Sequence, residues 1–265
     1  MPHVLSQAAP IVLDKTGVVS FEHQAELQQA LGNITLAGGE RSYKSIFGET
    51  WAQQLADSLS TSKTLSIATS GVSLTASFPT DTLGRCFEQV ARVIKARDTL
   101  EEERQVFFVT QGGFDSHASL KDQVDGHFQN IDAALSALET ELKAQDAWKD
   151  TLLLTSSDFG RTYASNGAGT DHAWGGNYFL VGGAANGGQL FGDFPASFIE
   201  TSDVVISRNG RIIPTTPWES VWYALAEWFG VDSSAMVEVL PNHGNFPTQT
   251  MFRASETDGR PGLTV

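Results

Sequence analysis

Apolar residues recur at helical spacing between residues 119 and 143. Successive members of this stripe lie three or four positions apart, which places them on one face of a helix. The stripe comprises Leu120, Val124, Phe128, Ile131, Leu135, Leu138 and Leu142. Apolar runs typical of strands precede and follow it, at 105–110 and 151–156. Two strands joined by a helix form a β-α-β unit, so the pattern predicts a parallel sheet covered by helices.

Weaker patterns predict the remaining elements. A strand is expected at 177–181, after a long loop over 157–176. A helix is expected from Thr216 to Gly230, with Thr216 as its cap and Gly230 as its stop signal. The dipeptide Asn209-Gly210 predicts a hairpin turn. Further predicted segments are helices at 21–33, 48–60 and 83–103 and strand-like pieces at 63–79.

The chain is predicted to form one domain over residues 1–265, of which 1–80 are weakly patterned. Its length allows a sizeable core. The fold class expected from the β-α-β pattern is α/β, with a mainly parallel central sheet between layers of helices. This three-layer sandwich would bring the carboxyl ends of its strands to one edge, where ligands bind in such folds.

Charge and composition exclude several classes of function. The chain has 31 acidic and 17 basic residues, a net charge of -14, and its lysines and arginines are scattered. Such a surface repels phosphate backbones, so no nucleic-acid partner is expected. The single cysteine, Cys86, permits neither an intrachain disulfide nor a cysteine-based zinc site.

The sequence contains no recognisable targeting signal or transmembrane segment. The N-terminus lacks the basic start and long apolar run of a signal peptide. No apolar stretch reaches the ~18 residues of a spanning helix, so no membrane partner is expected. Neither compartment nor oligomeric state is predicted.

Three loops carry candidate chemistry. Asp115 and His117 follow the strand 105–110, and Asp158 and Arg161 follow the strand 151–156. A glycine-rich loop then carries the adjacent residues Asp171 and His172. Carboxylates and neutral imidazoles are ligands for divalent metals, and a guanidinium offers a planar fork of donors to an oxyanion. The loops therefore predict a metal site that could polarise an ester oxygen and activate water.

Each residue also has a structural interpretation. Asp115 could cap the following helix, His117 could be an ordinary loop histidine, and Asp158 could hold a turn with Arg161 as its ion-pair partner. The pair at 171–172 could be a surface turn. The joint placement of these residues after successive strands favours a site over four separate structural roles.

Three ordered motifs resemble a known family. "GGFDSH", "SSDFGRT" and "NGAGTDHAWGG", followed by "FLVGGAANGGQLFGDFP", are similar to the family called domain of unknown function 1501. The family pattern runs Gly-Trp/Phe-Asp-Thr-His, then Ser-Glu-Phe-Gly-Arg, then Gly-Thr-Asp-His-Gly. The match is strongest over residues 83–200. The family is grouped with the alkaline phosphatase and sulfatase superfamily, and the resemblance implies that fold.

The resemblance also implies roles for individual residues. Superfamily members hold two metal ions with aspartate and histidine ligands, which would make Asp115, His117 and His172 ligands of one ion. The acidic residue of the second motif is Asp158. Asp171 is a further candidate ligand, and Arg161 is the candidate catalytic cation for a phosphate or sulfate group. The implied cofactor is a divalent metal, either zinc, manganese or calcium, and the implied substrate is a small anionic ester.

The sequence departs from the family pattern in two respects. Asp158 stands where the family usually has glutamate, which shortens the reach of the carboxylate by about one methylene. Family members also open with a strand leading into a "GGNDG"-like segment, where the superfamily carries its nucleophile, and this sequence has no such motif. Ser116 and Ser157 are the candidate replacements.

Two classes of function therefore remain open. The first is a metal-dependent hydrolase of phosphate or sulfate esters. The second is a non-catalytic relative that acts as a binding or assembly protein for an unidentified partner. The missing segment also fits an alkaline-phosphatase-like chain shortened at its N-terminus, and such a chain is expected to be weak or inactive as an esterase.

Overall fold

The structure is a computed structural model, and it describes residues 46–185, 187–199, 202–206 and 209–246. It also describes residues 26, 29, 253–254 and 263–264. The chain divides into two compact units. The first contains residues 1–2, 111–131 and 145–265, and the second contains 3–110 and 132–144. The predicted helix 21–33 lies almost entirely outside the described residues. That both units form one domain stays a prediction.

The described part of the second unit is mainly helical. Its helices are α1 (Ile46–Ser70), α2 (Thr82–Lys95) and α3 (Arg97–Leu100). The predicted helix 83–103 is thus present but divided, because the chain leaves the helical path at Ala96. Asp81 begins α2 by accepting hydrogen bonds from the backbone N–H groups of Leu83 and Gly84.

The long helix α4 (Leu120–Ala144) confirms the predicted helix at 119–143. Residues 120–131 of α4 belong to the first unit and 132–144 to the second. In the second unit its apolar face supplies the buried side chains of Ala134, Leu138 and Leu142. Asp115 and His117, two of the predicted site residues of the first unit, lie just before this helix.

The first unit contains short antiparallel strands. Strand β1 (Leu153–Leu154) pairs with β4 (Leu180–Val181), and β2 (Gly160–Arg161) pairs with β3 (His172–Ala173). Strands β5 (Arg253–Ala254) and β6 (Leu263–Thr264) form a third pair. This unit also contains helices α5 (Trp218–Phe229) and α6 (Met236–Val239) and two short 3-10 helices, Trp148–Asp150 and His243–Asn245.

Strand content differs from the sequence prediction. The predicted strands 151–156 and 177–181 are each reduced to two residues, and these pair with each other in the antiparallel sense. Residues 105–110 belong to none of the described strands, although half-buried and exposed residues alternate along them as in a strand. The three-layer sandwich with a parallel sheet stays a prediction.

Three local predictions were decided by the structure. The hairpin at Asn209-Gly210 is confirmed by the antiparallel bridge between Val205 and Ile212, with Gly210 at a φ of 70°. The strand-like reading of 63–79 was wrong for 63–70, which continue α1. The cap of α5 is the extended residue Pro217, which has no N–H and makes no side-chain cap bond, so the predicted cap at Thr216 was wrong.

No helix within the described ranges has the length and apolarity needed to span a bilayer.

Candidate metal centre

Two pieces of chain in the first unit bring the candidate residues together. Asp115 and His117 lie in the loop before α4, and Arg161 and His172 lie on the paired strands β2 and β3. Arg161 is directly opposite His172 in the antiparallel register. Directly opposed residues project to the same side of a strand pair, so the guanidinium and the imidazole can reach the same carboxylate.

That carboxylate belongs to Asp115. Its Oδ1 atom lies 2.9 Å from Nε2 of His117, 2.8 Å from Nε2 of His172 and 2.7 Å from a terminal nitrogen of Arg161. The ligand atoms of Asp115, His117 and His172 all lie within 4.8 Å of one another. The expected convergence of these three residues is therefore confirmed.

The electrostatics keep Asp115 ionised. The hydrogen bond from His172 contributes most to lowering the pKa of the Asp115 carboxyl below its usual 3.8, and the hydrogen bond from Arg161 follows. The side chains of Asp115, His117 and His172 are 51–53% exposed. A carboxylate oxygen with two imidazole nitrogens around it thus belongs to a cluster of half-exposed side chains, which a small ion can reach from solvent.

Arg161 links the loop before α4 to the segment that leads into β3. Besides its contact with Asp115, its Nε donates to Thr170 Oγ1 at 2.9 Å, and a terminal nitrogen donates to the Ser116 carbonyl at 2.9 Å and to the Thr170 carbonyl. The side chain is only 21% exposed. The residue predicted to clamp an oxyanion therefore directs most of its donors at the protein.

Asp171 lies on the far side of the His117 ring. Its Oδ1 is 3.5 Å from Nδ1 of His117 and accepts a 3.0 Å hydrogen bond from Asn166. The bond from Asn166 is the main cause that lowers the pKa of the Asp171 carboxyl, and the contact with His117 adds to it. Asp171 is not one of the three clustered candidate ligands.

The remaining predicted site residues lie outside the cluster. Asp158 is exposed and is not among its members. Ser116 is 2% exposed, and its hydroxyl donates to Gln123 Oε1 at 2.9 Å. The Ser157 hydroxyl is exposed and donates to the carbonyl of Phe159 at 3.0 Å. Of the two candidate nucleophiles, only Ser157 is accessible.

Sequence reasoning missed two residues, Phe159 and Arg211, that contact His172 and support its position. The ring of Phe159 stacks on His172 with centroids 4.1 Å apart and planes 11° apart. Arg211 donates to the His172 carbonyl at 3.1 Å. Phe159 is part of the quoted motif "SSDFGRT", so its position offered a signal, whereas Arg211 lies 39 residues beyond His172 and no local pattern links them.

Gly169 is a glycine of the third motif that close packing requires. A Cβ at this position would lie 2.5 Å from the carbonyl oxygen of Ser116, which is closer than real Cβ contacts allow. The same carbonyl accepts a 3.2 Å hydrogen bond from the Thr170 N–H. Glycine therefore lets the loop before His172 approach the loop that carries Asp115 and His117.

Comparison with known proteins identifies the family of the chain. The profile of a family of proteins of unknown function, DUF1501, matches residues 22–207. This segment covers more than half of the 265 residues and contains the whole cluster. The chain belongs to the DUF1501 family. No curated protein and no solved structure matched the chain significantly.

Proposed function

We propose that the chain is a divalent-metal-dependent hydrolase of phosphate or sulfate esters, related to the alkaline phosphatase and sulfatase superfamily. The observation that carries this proposal is the convergence of Asp115, His117 and His172 within 4.8 Å. The same three residues were singled out from the family motifs. A three-layer fold with a parallel sheet is part of the proposal.

The donor set fits a transition metal. One carboxylate oxygen and two imidazole nitrogens match the three protein ligands of catalytic zinc sites, which leave a fourth position open. Ligand atoms at ~2.0–2.2 Å from one ion lie up to about 4 Å apart, so the cluster needs at most small adjustments to hold one. Calcium prefers six to eight oxygen ligands, so the two imidazoles favour zinc or manganese over calcium.

The residues of the chain would hold the ion and leave it accessible. A divalent ion bound here would supply Lewis-acid polarisation of an ester oxygen and a lowered pKa of water. Asp115 would supply negative charge, and the two histidines would bind as neutral imidazoles through Nε2. The exposure of all three side chains leaves room for a small anionic ester.

The serines constrain the mechanism. Ser116 is buried and donates its hydroxyl proton to Gln123, so it has no path to a substrate at the cluster. Ser157 is exposed, but its hydroxyl is engaged with a carbonyl. We therefore favour direct attack by water over a serine-linked intermediate.

Hydrolysis of nitrophenyl phosphate and nitrophenyl sulfate, with zinc, manganese, calcium or magnesium supplied, tests the proposal. We expect turnover with zinc or manganese and a loss of at least ~100-fold in kcat/KM for His172→Ala, because a ligand is removed. His243→Ala, which removes a histidine of the same unit outside the cluster, should stay near wild type. Retention of activity in Ser157→Ala would support attack by water.

The alternative is a binding or assembly protein that holds a metal without catalysis. The internal hydrogen bonds of Arg161 and Ser116 favour it, because the predicted anion clamp and one predicted nucleophile are directed at the protein. Stoichiometric metal binding with no turnover of either ester under any of the four metals would select this alternative over the hydrolase.

A further inference from the structure

We propose that Asp171 is a positioning residue that orients His117, rather than a metal ligand; this inference rests on the metal site proposed above. The sequence motif alone places Asp171 beside His172 and makes it a candidate ligand. The geometry assigns it a different task, because its carboxylate faces the nitrogen of His117 that points away from the cluster.

The His117 ring lies between two carboxylates. Its Nε2 is 2.9 Å from Asp115 Oδ1, and its Nδ1 is 3.5 Å from Asp171 Oδ1. A neutral imidazole has one N–H and one lone pair, and the hydrogen bond made by one nitrogen fixes the role of the other. A proton held on Nδ1 by Asp171 leaves the lone pair on Nε2, where the clustered ligand atoms meet.

Asp171 is itself held in place. Its carboxylate accepts the 3.0 Å hydrogen bond from Asn166. Its backbone N–H donates to Thr162 Oγ1 at 3.0 Å, and its carbonyl accepts from the Thr162 N–H at 2.9 Å. A residue held by one hydrogen bond to its carboxylate and two to its backbone is suited to orienting the ring of a proposed ligand in turn.

The two histidines are therefore supported differently. His172 is held by a stacked aromatic ring, Phe159, and by its strand pairing. His117 lies in a loop, so the carboxylate of Asp171 provides an orientation that the loop backbone does not. This difference predicts that His117 is the ligand that depends on Asp171.

The test compares zinc dissociation constants and the visible spectrum of the cobalt(II)-loaded protein for wild type, Asp171→Ala, Asp171→Asn and the ligand variant His117→Ala. We expect Ala to weaken zinc binding about 10–100-fold and to change the cobalt spectrum. Asn keeps an oxygen that can accept from Nδ1, so it should recover most of the affinity and the wild-type spectrum. The matched control is Asp193→Asn, which changes an exposed carboxylate of the same unit.

Other outcomes overturn the inference. If Asn and Ala both lose binding to the extent of His117→Ala, then Asp171 is a direct ligand. If both match Asp193→Asn, it has no role. If the wild type binds zinc and the Asp171 variants bind it equally well, only this inference fails. If folded wild-type protein binds no metal, both the inference and the proposed function fail. Thermal melts of each variant establish that it is folded.

Discussion

At Asp115, one carboxylate oxygen contacts His117, its neighbour two positions along the chain, and two side chains that are distant in sequence. Arg161 lies 46 positions away and His172 lies 57 positions away. Each contact is between 2.7 and 2.9 Å, so the residue joins the loop before α4 to the strands β2 and β3.

A second carboxylate, Glu141, gives a prediction about stability. It is fully buried, and its Oε2 accepts hydrogen bonds from the backbone N–H groups of Thr75 at 2.6 Å and Ala76 at 2.7 Å. Glu141→Ala leaves both donors without this acceptor and should lower the free energy of unfolding by about 3 kcal/mol. Glu141→Gln keeps an acceptor oxygen and should cost about 1 kcal/mol.

Guanidinium unfolding at pH 7 measures both Glu141 variants. The matched control is Glu139→Gln, which changes a half-exposed glutamate of the same helix that pairs with Lys143. Surface pairs of this kind contribute little, so the control should stay within about 0.5 kcal/mol of wild type. Equal effects of Glu141→Ala and Glu139→Gln would show that the two buried bonds do not stabilise the fold.

The elements divide into those that local sequence determines and those that depend on distant partners. Helix α4 was predictable because its apolar stripe runs along most of its 25 residues and its hydrogen bonds are local. Strand partners cannot be read from a run such as 105–110, because pairing depends on chain segments far away. The segment 63–70 was misread because its Thr and Ile residues favour strands, whereas Thr69 bonds back to the Leu65 carbonyl within α1.

Two glycines should respond to alanine with opposite signs. Gly230 ends α5 at a φ of 97°, a left-handed conformation that strains alanine, so Gly230→Ala should cost about 1 kcal/mol. Gly126 lies inside α4, and a Cβ there would meet nothing within 4 Å. Gly126→Ala should therefore stabilise the protein by about 0.5–1 kcal/mol. Denaturant unfolding of the pair checks both signs, and equal shifts in one direction would contradict these backbone assignments.

The Asp232 carboxylate, in the turn before α6, should contribute less to the stability of the protein in acid. Hydrogen bonds from the Ser234 side chain and then from its backbone N–H lower the pKa of the Asp232 carboxyl below 3.8. A depressed folded pKa stabilises the protein above the unfolded value and ceases to do so as pH falls through the folded value.

We therefore expect Asp232→Ala to lower the urea midpoint at pH 7 and to differ less from wild type as the pH falls below 3.8. Ser234→Ala, which removes one donor, should act in the same direction and more weakly. The measurement is the urea midpoint from pH 7 to pH 2. A difference that is constant over this range would show that the charge of Asp232 is not responsible.

For the whole molecule, the family and much of the site were predictable, whereas the arrangement of the site was not. The motifs contain Asp115, His117 and His172, which do converge. The residue types do not show that Arg161 donates most of its hydrogen bonds to the protein itself. Nor do they show that the Asp171 carboxylate faces Nδ1 of His117. Those features depend on the antiparallel register of β2 and β3, which no local sequence pattern determines.

Titration of metal-free protein with zinc tests the central claim most directly. Isothermal calorimetry should show one tightly bound ion per chain in the wild type. That ion should be lost in Asp115→Ala and His172→Ala and retained in His243→Ala, because only the first two variants remove clustered ligands. Folded wild-type protein that binds no zinc, or binding that is unchanged in both ligand variants, would contradict the claim that these three residues form a metal centre.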